Sequence, residues 1–189
     1  MARIYIVQHA EKRRDGTDPA LTERGHAQAR ATADRVAACG IDALYASPLL
    51  RARQTAAPIA AATGLAITIE DRVRERMTWD GHQPLDEFFA DWVRATADRS
   101  YVPRCGDSSF AAAERFRAFL LDHEADDRRI AVVAHGGVTV DLVRSLIGDD
   151  ALDRELIDNG VPACAITVID GLRVQAVAIG PDQANHSIA

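Results

Sequence analysis

Short, unbroken apolar runs alternate with segments of helical period along most of the chain. Ile4 to Val7, Leu44 to Ala46 and Ile130 to Ala134 are runs of the kind expected of strands covered on both faces. Between them, Thr22 is placed to cap a helix running to about Ala38, with Cys39-Gly40 as its stop. A second helix is predicted over about Arg51 to Thr63, ended by Gly64, with Pro58 expected to kink or divide it. Ala66 to Glu70 alternates and is β-branched, which predicts a third strand.

The rhythm breaks between Asp71 and Gly106. That stretch holds both tryptophans, Trp79 and Trp92, with Gly81, Pro84 and Pro103, and predicts a helix over about Pro84 to Ala97. It reads as an insertion, residues 71–106, folding over the strand ends of a single domain spanning 1–189. Ser108 or Ser109 can then cap a helix to about His123, the strand Ile130 to Ala134 follows, and Thr139 to Ile147 is helical, stopped by Gly148. Cys164 to Ile169 and Leu172 to Ile179 are strands joined at Asp170-Gly171, a hairpin signal. Residues 181–189 read as a mobile tail. Strands alternating with helices predict an α/β fold.

Composition narrows the function. A chain of 189 residues suffices for one α/β domain with a substantial core, and mixed charges argue against extensive disorder. The formal charge of −6 argues against nucleic acid or an acidic membrane surface as partner. The apolar start is too short for a signal peptide, and no segment approaches the ~20 apolar residues of a membrane span, so a cytoplasmic protein is expected. Cys39, Cys105 and Cys164 are far apart without metal-ligand spacing and read as reduced thiols. Oligomeric state leaves no mark on the sequence.

Two strand-like runs end in histidine: His9 after Ile4–Gln8, and His135 after Ile130–Ala134. In open parallel sheets ligands bind at the carboxyl ends of strands, so two imidazoles from distant parts of the chain can face one group there. Ser47-Pro48-Leu49-Leu50-Arg51-Ala52-Arg53 also follows a strand and puts arginines where a helix begins, a setting that suits phosphate. Two histidines and an arginine at one sheet edge read as an anion site. Rival readings lack their motifs: no Gly-x-Gly-x-x-Gly follows the first strand, no nucleotide-triphosphate loop is present, and Gly106-Asp107-Ser108-Ser109-Phe110 lacks the second glycine of a nucleophile elbow.

His9-Ala10-Glu11, Leu21-Thr22-Glu23-Arg24-Gly25-His26-Ala27-Gln28-Ala29, Ser47 to Ala56, Gly106-Asp107-Ser108 and His135-Gly136-Gly137 occur in an order that resembles the histidine phosphatase superfamily, the phosphoglycerate-mutase-like proteins. The resemblance covers Arg3 to about Gly148. It implies a three-layer α/β sandwich with a mostly parallel central sheet and helices on both faces. It also implies a phosphomonoester hydrolase that needs neither metal nor other cofactor and works through phosphohistidine. Its partner is a small phosphorylated substrate or a phosphoprotein. A catalytically impaired phosphate-binding protein is the alternative, and a mutase is less favoured because the chain is short.

By the same resemblance His9 is the nucleophile, with its other ring nitrogen bonded to a backbone carbonyl. Arg51 binds phosphate, and His135 donates to it while Gly136-Gly137 let the backbone approach. Arg53 has a weaker claim. Val73-Arg74-Glu75-Arg76-Met77-Thr78-Trp79-Asp80-Gly81 is similar to the family's acid segment and makes Glu75 the proton donor, with Glu11 and Asp80 in reserve. The alternative for Glu75 is an ion pair with Arg72, Arg74 or Arg76. His82 sits in the covering loop, whereas His26, His123 and His186 read as surface residues. The family normally has arginine before the nucleophile, where this chain has Gln8, which by position is a substrate contact; Lys12, Arg13 or Arg14 can replace the charge, and Asp15 stands near a usual asparagine position.

Overall fold

The tight interleaving of apolar runs and amphipathic helices is resolved by a six-stranded sheet covered on both faces, seen in a computed structural model that describes residues 1–183. In chain order the strands are β1 (Arg3–Gln8), β2 (Ala43–Ala46), β3 (Ile67–Ile69), β4 (Arg129–Ala134), β5 (Ile166–Asp170) and β6 (Arg173–Ile179). Their order across the sheet is β3-β2-β4-β1-β5-β6, with β1 to β4 mutually parallel and β5 antiparallel to both its neighbours.

The side-chain period of two splits each buried strand between two cores. Tyr5, Val7, Ala131 and Val133 face α1 (Glu23–Ala37) and α2 (Leu50–Thr63). Ile4, Ile6, Ile130 and Val132 face α4 (Ser109–Asp122) and α5 (Gly136–Ile147), where Phe116, Phe119 and Leu142 are fully buried. Apolarity on both sides of the pleat is why these strands read as unbroken runs.

Local signals explain most boundaries. Thr22 and Ser108 cap α1 and α4 by accepting from the Gly25 and Ala111 N–H groups, and Gly64 ends α2 with φ of 73°. Pro58 does not divide α2, which remains one helix of 14 residues. The helix predicted from Thr139 starts three residues earlier, at Gly136, despite the low helical propensity of glycine. Packing decides this: a Cβ on Gly136 would lie 2.9 Å from the Val161 backbone nitrogen, and one on Gly137 2.7 Å from the Glu75 carboxylate.

The irregular stretch contains a 3-10 turn (Asp71–Val73) and α3 (Leu85–Ala97). Met77, Phe88 and Ala95 are buried there with Trp79, Trp92, Tyr101 and Cys105 packed around them. A 3-10 turn (Asp149–Ala151) and the short α6 (Arg154–Asn159), neither anticipated, precede the β5–β6 hairpin. His123, read as a surface residue, is instead packed edge-on against Phe119 at 4.8 Å, with its Nδ1 3.0 Å from Asp126. Cys39, Cys105 and Cys164 are free thiols. Among the described residues no helix is long and apolar enough to cross a membrane. Of the segment 181–189 read as a tail, residues from 184 on, His186 included, lie outside the described residues.

Candidate active site

Sheet register brings the two histidines together. β1 and β4 pair in parallel with Gln8 beside Ala134, so the next residues, His9 and His135, leave the sheet side by side; the His9 N–H donates to the Ala134 carbonyl at 3.2 Å. Their ring centroids are 5.2 Å apart and meet edge-on. On the far side of β4, β2 delivers Ser47, whose N–H donates to the Val133 carbonyl. Three neighbouring strand ends thus contribute His9, His135 and Ser47.

The His9 Nδ1–H donates to the Ala10 carbonyl at 2.7 Å, which leaves the lone pair on Nε2. Arg51 Nε donates to that Nε2 at 3.3 Å. Burial first, then the Arg51 charge, holds the His9 ring neutral with its pKa down to about 3. His135 is fully buried, and the same causes keep it well below the usual imidazole value. Its Nε2 lies 2.7 Å from Ser47 Oγ, which accepts from the Leu49 N–H at 3.3 Å. Ser47 Oγ can donate to Nε2 or accept from it, and His135 Nδ1 is buried without a protein partner.

Arg51 sits in the first turn of α2, buried, with NH1 3.6 Å from the Asp18 carboxylate. Asp18 also accepts from the Leu50 N–H at 3.0 Å and so closes the amino end of α2. The rest of this block holds the loop that follows β1. Thr55 Oγ1 accepts from the Ala10 N–H at 3.0 Å and donates to the Arg51 carbonyl at 2.8 Å; Gln54 Oε1 accepts from the Leu21 N–H at 2.8 Å.

Glu75 pairs with none of its neighbouring arginines. Arg72 goes to Glu70 and Asp122, Arg74 to Asp71 and Asp107, and Arg76 to Asp141. Its carboxylate instead accepts from the Gly137 and Val138 N–H groups, at 3.2 and 2.8 Å, at the start of α5. The missing Cβ of Gly137 is what admits it. Arg76 is pinned beneath: NH1 lies 3.0 Å from the fully buried Asp141, which also accepts from Ser109 Oγ at 2.6 Å, and the guanidinium stacks 4.5 Å over Trp92. Breaking such a buried pair costs about 3–5 kcal/mol, so Glu75 is held on a fixed arm.

Over these groups lies a cavity of about 740 Å³. His9, Arg51 and Glu75 line it, with Lys12 and Arg14 from the β1–α1 loop and Met77, Trp79, Phe88 and Trp92 from the irregular stretch. The Lys12 ammonium is pushed down by burial and then by Arg51 and Arg14 beside it. Such crowding of cations prepares a site for an anion. Several sequence candidates stand apart from the cavity lining. Gln8 is buried with Oε1 unpartnered, His135 is fully enclosed with Nδ1 unpartnered, and Gly136 packs against the Gly160–Val161 backbone. Glu11 spends its carboxylate on Thr22 Oγ1 and Arg24. Arg13, Asp15, Arg53, Asp80 and His82 are exposed and do not line it. Ser47, Gln54 and Thr55 were legible only as parts of a block, with no signal for what each one holds.

Acid stability tests this electrostatic picture. Unfolded, both histidines take up a proton near 6.5, whereas the folded chain holds them neutral far below that. Stability is therefore full above about pH 6.5 and is lost as pH falls toward 3, each histidine contributing about 1.4 kcal/mol per pH unit. Asp141 acts oppositely: burial raises its carboxyl to about 6 from 3.8, so it loses stability as pH rises through that interval. Two groups outweigh one. Urea midpoints are expected to drop between pH 7 and 5, and to drop less in His135→Gln; a midpoint rising on acidification contradicts the neutral pair.

Comparison with known proteins places this arrangement. Residues 4–177 match the model of the histidine phosphatase superfamily, branch 1. A protein named probable phosphoglycerate mutase from Erwinia tasmaniensis is 33% identical over 164 residues, 78% of this chain and 76% of that one. Phosphoserine phosphatase 1 of Hydrogenobacter thermophilus is 31% identical over 150 residues, 71% of each chain. Among solved structures, a mycobacterial glucosyl-3-phosphoglycerate phosphatase with inorganic phosphate superposes with a TM-score of 0.77 at 22% identity, covering 96% of this chain and 99% of the other.

Proposed function

Since the chain belongs to the histidine phosphatase superfamily, we propose that it hydrolyses phosphate monoesters of small molecules through a phosphohistidine on His9. The observation that carries this reading is the neutral His9 ring. Its Nδ1–H is committed to a carbonyl and its Nε2 lone pair lies against Arg51 on the floor of a cationic cavity. Nε2 attacks phosphorus in line as the ester P–O bond breaks. Arg51 takes the equatorial oxygens, with the fully buried His135 ring, edge-on to His9, as a further donor in this reading, and Glu75, as the carboxyl on the cavity wall, gives its proton to the leaving alkoxide. Water then attacks the phosphohistidine, the P–N bond breaks, and the water proton goes to the Glu75 carboxylate.

Gln8 leaves a neutral side chain where the family resemblance has a charge. Lys12 and Arg14, both lining the cavity, supply the missing positive charge in this reading, and Arg13 does not. The test is phosphate release from phosphoserine, 3-phosphoglycerate and an aryl phosphate in the presence of a chelator, together with rapid-quench labelling. Acid-labile, base-stable label and turnover support the proposal; activity that chelation removes and a divalent ion restores rejects it. The mutase-named relative gives a second reading, in which the phosphoenzyme passes its group to a glycerate acceptor rather than to water. A chase of labelled enzyme with and without that acceptor separates the two.

Glu75→Gln is expected to lower kcat for alkyl phosphates by about 100–1,000-fold and for p-nitrophenyl phosphate by less than tenfold, because the aryl leaving group needs little protonation. Equal losses on both substrates would assign the proton to another group.

A further inference from the structure

The wall that residues 77–92 give the cavity is built mostly from apolar side chains. Leu85, Phe88, Phe89 and Trp92 follow the i, i+3, i+4, i+7 spacing of one helical face, and all four line the cavity. Such a stripe ordinarily means core, and Phe88 is indeed buried. Leu85 and Phe89, however, stay 49% and 57% exposed, so their apolar surface faces the cavity mouth and not the interior.

The remaining groups on this wall sharpen the point. Trp79 spends its indole N–H on the Gln83 carbonyl at 2.8 Å, which leaves only the ring to meet a ligand. One face of Trp92 is covered by Arg76. Thr78 is the one polar side chain that residues 77–92 contribute to the lining, and none they contribute is charged. The cations of the cavity, Lys12, Arg14 and Arg51, come from the β1–α1 loop and α2, beside His9. The volume, about 740 Å³, falls within the range of about 300–1,000 Å³ typical of small-molecule sites and is far more than a phosphate group fills.

We infer that the substrates are phosphate monoesters of bulky apolar alcohols, alkyl or aromatic, whose carbon skeleton lies along Leu85, Phe89 and Trp79 while the phosphate sits on His9 and Arg51. This rests on the phosphatase reading for the placement of the phosphate, and it favours such esters over small carboxylated ones, to which this wall offers the Thr78 hydroxyl but no charge.

Binding of non-hydrolysable alkylphosphonates, from ethyl to octyl, tests it without turnover, with the fluorescence of Trp79 and Trp92 as the readout. The dissociation constant is expected to fall about threefold per methylene from propyl to hexyl, slightly under the roughly fourfold of complete burial. In Leu85→Ser/Phe89→Ser the gradient is expected to flatten to under about 1.5-fold. Leu85 and Phe89 are half exposed, so the change spares the core. A flat series in the native protein, a gradient that survives the double substitution, or tighter binding of phosphonoacetate than of butylphosphonate overturns the inference. A gradient with no hydrolysis of the matching alkyl phosphates leaves the apolar wall standing and removes the phosphatase reading instead.

Discussion

His9→Ala is expected to abolish both phosphoenzyme and turnover, lowering kcat by at least about 10,000-fold on every phosphate ester the native chain hydrolyses. Removing a nucleophile removes the whole two-step path, so what remains is only the stabilisation offered by the surrounding donors. The loss belongs to chemistry and not to folding. His9 lies at a strand end, and the backbone bonds that hold it run from its own N–H to Ala134 and from the Ala10 N–H to Thr55, neither of which involves the imidazole. His9→Ala should therefore keep the native circular dichroism spectrum while binding phosphate only modestly less well, because Arg51, Lys12 and Arg14 remain. Undiminished labelling of the variant would move the covalent step to another residue, with His135 the next to examine.

Arg51→Ala carries the second largest expected effect, a fall of about 1,000-fold in kcat/KM. A charge-assisted donor aimed at oxygens that gain charge in the transition state is worth this much in a water-poor site. Arg51 is the one guanidinium beside His9 Nε2, and its removal also relieves part of the charge that keeps the ring neutral. Arg51→Lys should recover only part of the loss, since an ammonium lacks the planar fork that spans two phosphate oxygens. If Arg51→Ala costs less than tenfold, Lys12 and Arg14 carry the phosphate, and the absence of an arginine at Gln8 is then compensated more fully than proposed.

What could be read from the sequence followed the strength of local signals. β1, β2 and β4 announced themselves because a strand buried on both faces is apolar at every position, and α1, α2 and α4 because Thr22, Gly64 and Ser108 mark their ends. α6 gave no such signal: its six residues, Arg154 to Asn159, are mostly polar and have too few turns to show a period. The early start of α5 depended on what lies near Gly136 and Gly137 in space, which propensity does not contain. In the site, His9, Arg51 and Glu75 were each singled out from their own segments, and the fold sets them around one cavity. Seating Glu75 on the amino end of α5, and giving Ser47 to His135, are pairings across 62 and 88 residues. No window of sequence carries information of that range. The same holds for Gln8, whose position before His9 suggested contact with substrate although its side chain is buried away from the cavity lining.

The strand order β3-β2-β4-β1-β5-β6 has a consequence for biosynthesis. The first 70 residues already contain His9, Ser47 and Arg51 on three of the four parallel strands and their helices, yet β1 and β2 are not neighbours: the place between them belongs to β4, which begins 60 residues after β3 ends. A nascent chain emerging from the ribosome therefore holds two halves of a sheet with a gap where the second histidine belongs. Insertion of β4 closes the gap and sets His135 beside His9 in one event, before β5 and β6 complete both cores. A chain cut short before residue 129 has no partly competent form to release.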